Sequence, residues 1–201
     1  MQRVFRAAYC NSEDPPVDPE DATYYDDDTE LTFIARATYG YLRKQPEMLC
    51  ISVDGACSNN GYSNARASAG VFFGPESRYN WSGVLDRNVH SQTSQCAEIF
   101  AMIRALKIFN RNRGNYPWDE ISTVVIVTDS DYVHQGITSH VEKWRQNGYK
   151  NCKGEALVNG DKFWQLNSLV ENLEEDGVDV LFWRVNREFN QEADGLAKSE
   201  L

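Results

Sequence analysis

The sequence predicts an α/β domain: a five-stranded mixed sheet, made of an antiparallel meander plus two parallel strands, with helices on both faces. Three observations predict it. The apolar segments follow the order β-β-β-α-β-α-β-α. The stretch ISTVVIVT (121–128) is almost continuously apolar, the pattern of a strand buried on both faces. The first three strands are joined by turn-rich connections, whereas the last two return through helical crossovers.

Taken in order, LCISV (49–53) is a short apolar strand that ends at Asp54. A turn-rich connection from Asp54-Gly55 to Asn59-Asn60-Gly61 follows. Strands near 67–73 and 78–84 join through Gly74-Pro75 as a hairpin or meander. A helix is predicted over 93–111, with Thr93 or Ser94 as its N-cap. After the 121–128 strand come short helices at 131–137 and 139–146, and a polar loop at 147–159. A helix at 161–174, a strand at 178–184 and a helix at 190–199 complete the pattern.

The 201 residues are 41% hydrophobic and 25% charged, enough to bury a core in one domain with an appendage. No apolar run approaches the roughly 20 residues of a membrane span, and no secretory h-region follows Met1. Arg3 and Arg6 faintly resemble a transit peptide, against which the acids from Glu13 onward argue. Five scattered cysteines without a Cys-x-x-Cys point to neither a zinc site nor a disulfide framework. The expectation is an intracellular, reducing compartment (nucleus, cytoplasm or mitochondrion). The net charge of −10 is uneven: residues 1–30 hold nine carboxylates against two arginines, and the remainder is near balance. Residues 1–48 are therefore expected to be an acidic, largely disordered extension, partly packed over 31–48, ahead of a domain at 49–201.

Four acids carry the functional argument. Asp54-Gly55 also reads as a turn, Asp129 as a helix N-cap and Asp194 as part of a solvated helical face. Glu98 is less easily explained. At 100° per residue it shares a stripe with Met102, Ala105 and Phe109, a face that looks buried, with no nearby lysine or arginine on it. A lone buried carboxylate is costly, and a metal is one remedy. Asp54 and Asp129 fall at strand ends, where open sheets form sites. Two charges about 4 Å apart cost roughly 4 kcal/mol at an effective dielectric near 20. An all-oxygen cluster of this kind suits Mg²⁺ or Mn²⁺, and two such ions can drive phosphodiester hydrolysis.

The segments DGACSNNG (54–61), TSQCAEIFAMIRAL (93–106), VIVTDSDYVHQGI (125–137) and NQEADGLA (190–197) resemble, in order and spacing, the motifs of the type 1 ribonuclease H family. The resemblance covers about residues 49–199. It implies a ribonuclease H-like fold and an endonuclease that hydrolyses the RNA strand of RNA·DNA hybrids, leaving 3′-hydroxyl and 5′-phosphate ends. It implies two Mg²⁺ ions, replaceable by Mn²⁺, on Asp54, Glu98, Asp129 and Asp194. Cys57, Asn59, Asn60, Gln95 and Ser130 match positions that read RNA 2′-hydroxyls, the groups that distinguish RNA from DNA. Thr93 and Asn159 match a pocket for a DNA-strand phosphate, for which a helix start is suited. EKWRQNGYKNCKGE (142–155) resembles a basic protrusion, with Lys143, Arg145, Lys150 and Lys153 interleaved by Trp144 and Tyr149. There Trp144 reads equally well as a ring packed inward, and Glu142 and Glu155 dilute the charge.

Three departures temper the resemblance. The connection 185–194 lacks the histidine the family often places before the last Asp, with Arg187 or Glu188 the nearby candidates for its work. Ser91 stands where an arginine of the phosphate pocket is common. No N-terminal hybrid-binding module is visible in 1–48. The expected partner is an RNA·DNA hybrid, with no membrane and a monomeric chain. The alternative is a catalytically weak or silent binding or scaffold module. The acidic 1–30 segment is a candidate autoinhibitory cover for the basic loop.

Overall fold

The computed structural model describes residues 3–7, 19–38 and 41–201. Its elements, in chain order, are α1 (Pro19–Ala22), β1 (Thr23–Asp26), β2 (Leu31–Thr38), β3 (Tyr41–Ser58), β4 (Arg66–Phe72), β5 (Trp81–Val84) and α2 (Ser94–Asn112). They continue with β6 (Thr123–Thr128), α3 (Asp131–Gln135), a π-turn at Gly136–His140, α4 (Val141–Gln146), α5 (Gly160–Glu175), β7 (Asp179–Arg184) and α6 (Gln191–Lys198).

The mixed sheet with flanking helices is as expected, but among the described residues it has seven strands rather than five. β3 is the hub. It pairs antiparallel with β2 and β4 and parallel with β6, which in turn pairs parallel with β7. Alternation along β3 divides two cores. Leu49, Ile51 and Val53 face the large core under α2 and α5, whereas Met48 and Cys50 face a smaller one with Val125, Val127 and Trp183. β6 is buried on both sides, with Val124, Val125, Ile126 and Val127 fully enclosed.

The expectation of a largely disordered extension is corrected over 19–30, and the described residues of 31–48, expected to pack in part, are strands of the sheet. β1 and β2 form a hairpin that joins β3; alternation along β2 puts Leu31 and Phe33 in the large core and Ile34 in the small one, and the pairing with β3 shifts register at Phe33/Ile34. The acids that argued for disorder have local work. Asp26 accepts from the Thr29 hydroxyl at 2.6 Å in the connecting turn, and Glu30 accepts from Arg78 Nε at 2.8 Å. They hold the turn while Leu31 and Phe33 supply the buried area. Within residues 19–30, α1, β1 and the turn that follows are packed along the sheet edge beside β2; residues 1, 2 and 8–18 of the proposed cover are outside the described residues. The segment Arg3–Ala7 runs beside β7: Phe5 N donates to Phe182 O at 2.9 Å and Phe182 N to Arg3 O at 2.8 Å. Phe5, Ala7 and Ala22 cap the smaller core.

The strand expected at 78–84 starts only at Trp81, because Asn80 closes the preceding turn. Its Oδ1 accepts from Phe73 N and its Nδ2 donates to Gly74 O, both at 2.7 Å. Two glycines set how close the helices come. A Cβ on Gly55 would stand 2.1 Å from the Glu98 backbone nitrogen, so its absence lets α2 lie directly on β3. At Gly70 a Cβ would meet Ala193 O at 2.5 Å, and its absence lets α6 lie on β4.

Candidate active site

Asp54 lies on β3 just beyond the residues paired with β6, and Asp129 follows the last residue of β6. Two neighbouring parallel strands thus present carboxylates side by side, where a sheet opens a crevice. The glycine contact brings the second turn of α2 over them and lowers Glu98 into the same space. Carboxylate oxygens of Asp54, Glu98 and Asp129 all lie within 4.8 Å of one another. The stripe beneath Glu98 is buried as expected, Met102, Ala105 and Phe109 being fully enclosed.

The electrostatics are those of an uncompensated cluster. Burial and then the Asp129 charge push the Asp54 carboxyl up to about 7. Burial, then Asp54 and Asp129, push Glu98 up to about 9. Glu98 Oε2 is buried with no hydrogen-bond partner among the described residues. At the observed spacing each like-charged pair costs roughly 3 kcal/mol at an effective dielectric near 20. A hard divalent cation fits this donor set: it would supply the partner Glu98 Oε2 lacks, and all-oxygen ligation is what Mg²⁺ and Mn²⁺ prefer.

The fourth acid is near but differently engaged. Asp194, 8% exposed on α6, acts electrostatically on Asp54, yet it is not among the three whose oxygens converge. Its Oδ1 accepts from Arg187 Nη2 at 3.1 Å and its Oδ2 from Lys198 Nζ at 2.7 Å. Burial alone would raise its pKa, but Lys198 and Arg187 hold it below the usual carboxylate range. Asn190, absent from the sequence-predicted set, is buried between the two groups. Its Nδ2 donates to Val53 O at 3.0 Å and Asp129 Oδ1 at 3.4 Å, tying the start of α6 to β3 and to the cluster. Its place four residues before Asp194 in NQEADGLA was the available signal.

The predicted substrate positions fall into groups around this crevice. The β3–β4 turn meets the start of α2: Asn60 Nδ2 donates to Ser94 Oγ at 3.3 Å, and Cys57 Sγ to Gln92 O at 3.5 Å. Asn59 is exposed in a left-handed conformation (φ 50°), and Gln95 is exposed. Thr93 caps α2, its Oγ1 accepting from Cys96 N at 3.2 Å. Ser130, beside Asp129, caps α3. Asn159, also left-handed (φ 57°), donates to the Tyr132 hydroxyl at 3.3 Å. Trp144 packs its ring 4.9 Å from Phe163 and 5.5 Å from His140 while staying partly exposed. In the basic loop Arg145 pairs with Glu142 at 3.0 Å and Glu171 at 3.5 Å. Sequence reasoning also missed Lys162, a largely buried cation paired with Asp161 at 2.9 Å. Its charge acts on His90 and Cys96, which bracket Thr93 in the sequence.

With this geometry in place, comparison with known proteins is decisive. The RNase H family model matches residues 46–201. The chain belongs to the RNase H family. It is 33% identical over 176 residues to mouse Ribonuclease H1, covering 85% of this chain and 55% of that protein. It is 31% identical over 152 residues to the Ribonuclease H of Chromobacterium violaceum, covering 73% of this chain and 90% of that protein. The chain thus spans little more than half the length of the mammalian relative. Among solved structures, the foamy viral protease-reverse transcriptase in complex with RNA/DNA hybrid aligns with a TM-score of 0.54 at 25% identity, over 75% of this chain and 19% of that one. The RNase H-like α/β fold and the family anticipated from the four motifs are those found.

Proposed function

We propose that this chain is a ribonuclease H that hydrolyses the RNA strand of RNA·DNA hybrids, using two divalent cations and leaving 3′-hydroxyl and 5′-phosphate ends. The observation that carries this reading is the convergence of Asp54, Glu98 and Asp129 around a buried, unpartnered carboxylate oxygen at the open end of two parallel strands. Family membership and a structural neighbour described in complex with an RNA/DNA hybrid support it.

In this reading Asp54, Glu98 and Asp129 hold the cations, and Asp194 completes the set. Bound divalent ions supply charge neutralisation, an activated water and stabilisation of the departing oxygen. The chain's own residues do the rest. Asn190 keeps Asp129 oriented toward Asp54. Cys57, Asn59, Asn60 and Gln95, at the meeting of the β3–β4 turn and α2, together with Ser130, lie along the RNA minor groove and read its 2′-hydroxyls. Thr93, Asn159 and Lys162 receive a DNA-strand phosphate at the start of α2. The chain acts as a monomer in a reducing intracellular compartment. The described cysteines, Cys50, Cys57, Cys96 and Cys152, are all free, and none of the described helices is long and apolar enough to cross a membrane.

The test is cleavage of end-blocked, labelled RNA·DNA, double-stranded RNA and double-stranded DNA, with and without Mg²⁺. Only the hybrid is expected to be cut, internally and in Mg²⁺, with Asp54→Asn inactive but folded. A folded wild-type chain that binds hybrid without cutting it would replace this reading with that of a binding module, which the engagement of Asp194 by two cations favours.

A further inference from the structure

The four acids are not equivalent, and the difference lies in two side chains outside them. Asp194 has both oxygens occupied, one by Arg187 and one by Lys198, while the other three acids have no comparable cation pair. Arg187 also acts on Asp54, Glu98 and Asp129. Its one direct contact with the set is the 3.1 Å pair with Asp194 Oδ1. Both cations are solvent-facing, their side chains 70% and 56% exposed, while the Asp194 carboxylate is only 12% exposed. Pairs with such exposed partners are worth little and separate readily. The turn carrying Arg187 is pinned independently of its guanidinium: Arg187 O accepts from Gln191 Nε2 at 2.7 Å and from Asn190 N at 3.2 Å. The guanidinium can therefore leave while the backbone stays.

We propose that Arg187 and Lys198 are internal counter-ions that occupy Asp194 in the cation-free protein and yield it when divalent ions enter, so that they set the concentration at which the more weakly held ion binds. The proposal rests on the cation-dependent reading above and goes beyond it by making these two residues positioning groups for Asp194. Exchange requires no chemistry. The guanidinium and ammonium, already more than half exposed, turn into water, and the freed carboxylate turns to the cluster.

The experiment is isothermal titration of Mn²⁺ into the full chain without nucleic acid. Arg187→Ala and Lys198→Ala are each expected to tighten the weaker Mn²⁺ site about threefold, as befits loss of an exposed ion pair, and Arg187→Lys less. Arg184→Ala removes a cation paired instead with Asp131 at 2.9 Å and is expected to leave Mn²⁺ affinity unchanged. In an Asp194→Asn background the effect of Lys198→Ala should vanish, and that of Arg187→Ala should shrink to its action on the other three acids. Unchanged affinity in both alanine variants, an equal gain in Arg184→Ala, or a Lys198→Ala gain that persists without Asp194 would overturn the proposal and leave the nuclease reading standing. Absence of any Mn²⁺ heat in the unaltered chain would overturn both.

Discussion

The carboxylate cluster and the 142–155 loop treat charge in opposite ways. In the cluster, Asp54, Glu98 and Asp129 are pressed together with two of them strongly raised in pKa and one buried oxygen unpartnered. In the loop, Arg145 is paired twice with acids, and Glu155 folds back to accept from Asn151 at 3.0 Å. Like charge is concentrated where a cation would be held and partly neutralised where a polyanion would be gripped. Folding alone does not require the first arrangement, since an apolar side chain in place of Glu98 would pack against Met102 without the electrostatic cost. The contrast places the chain's specialisation in the cluster and leaves the loop a weaker handle.

The largest effect is expected at the cluster. Glu98→Gln should lower hybrid cleavage by about a thousandfold, the scale of losing a group that stabilises developing charge, while circular dichroism and solubility stay those of the unaltered chain. Cleavage within tenfold of wild type would erase the contrast. Next, Gly55→Ala inserts a Cβ 2.1 Å from the backbone of α2. It should cost about 3 kcal/mol or more, read as a lower urea midpoint, and should lose cleavage as well because Glu98 is displaced.

Both of those positions were within reach of sequence reasoning to different degrees. Asp54, Glu98 and Asp129 were legible because two sit at the ends of apolar strands and one interrupts a buried helical stripe. Their convergence follows from adjacent strand ends. Gly55 read only as a turn residue, because its task depends on a helix 40 residues later in the chain coming into contact. β1 and β2 were missed for a related reason. Their short apolar runs are embedded in acids, and composition weighs Asp26 and Glu30 as disorder, when one closes a turn and the other pairs with Arg78. Lys198 and Arg187 were visible as charges, but that they take the oxygens of Asp194 follows from the orientation of α6, which no local pattern records.

The cluster also predicts a pH dependence with a definite sign. Unfolded carboxyls titrate near 4, whereas Asp54 and Glu98 titrate at about 7 and about 9 when folded. Between those values the folded chain binds more protons than the unfolded one, so stability falls as pH rises from about 4 through 9. Without divalent ions the melting temperature should drop by about 5 °C or more over that interval. Millimolar Mg²⁺ should flatten the curve, and Glu98→Gln should flatten its upper arm. A melting temperature that climbs across the same range would contradict an uncompensated cluster. The smallest effect belongs to the loop. Glu142→Gln frees Arg145 from one partner and should raise hybrid affinity about twofold at low salt, with no gain at high salt. Fluorescence anisotropy on a catalytically inactive background measures it.

The Arg3–Ala7 segment gives the outer rim of the sheet an unusual dependency. Arg3 reaches Glu174 and Asn167, held at 2.9 and 2.7 Å, across 171 and 164 positions of chain. A shortened protein beginning at residue 46, where the family match starts, would keep every acid of the crevice. It would also strip β7 of its cover, leaving backbone donors and acceptors bare beside Trp183. Such a rim invites pairing with another molecule, so the trimmed chain should self-associate at concentrations where the longer one stays dispersed.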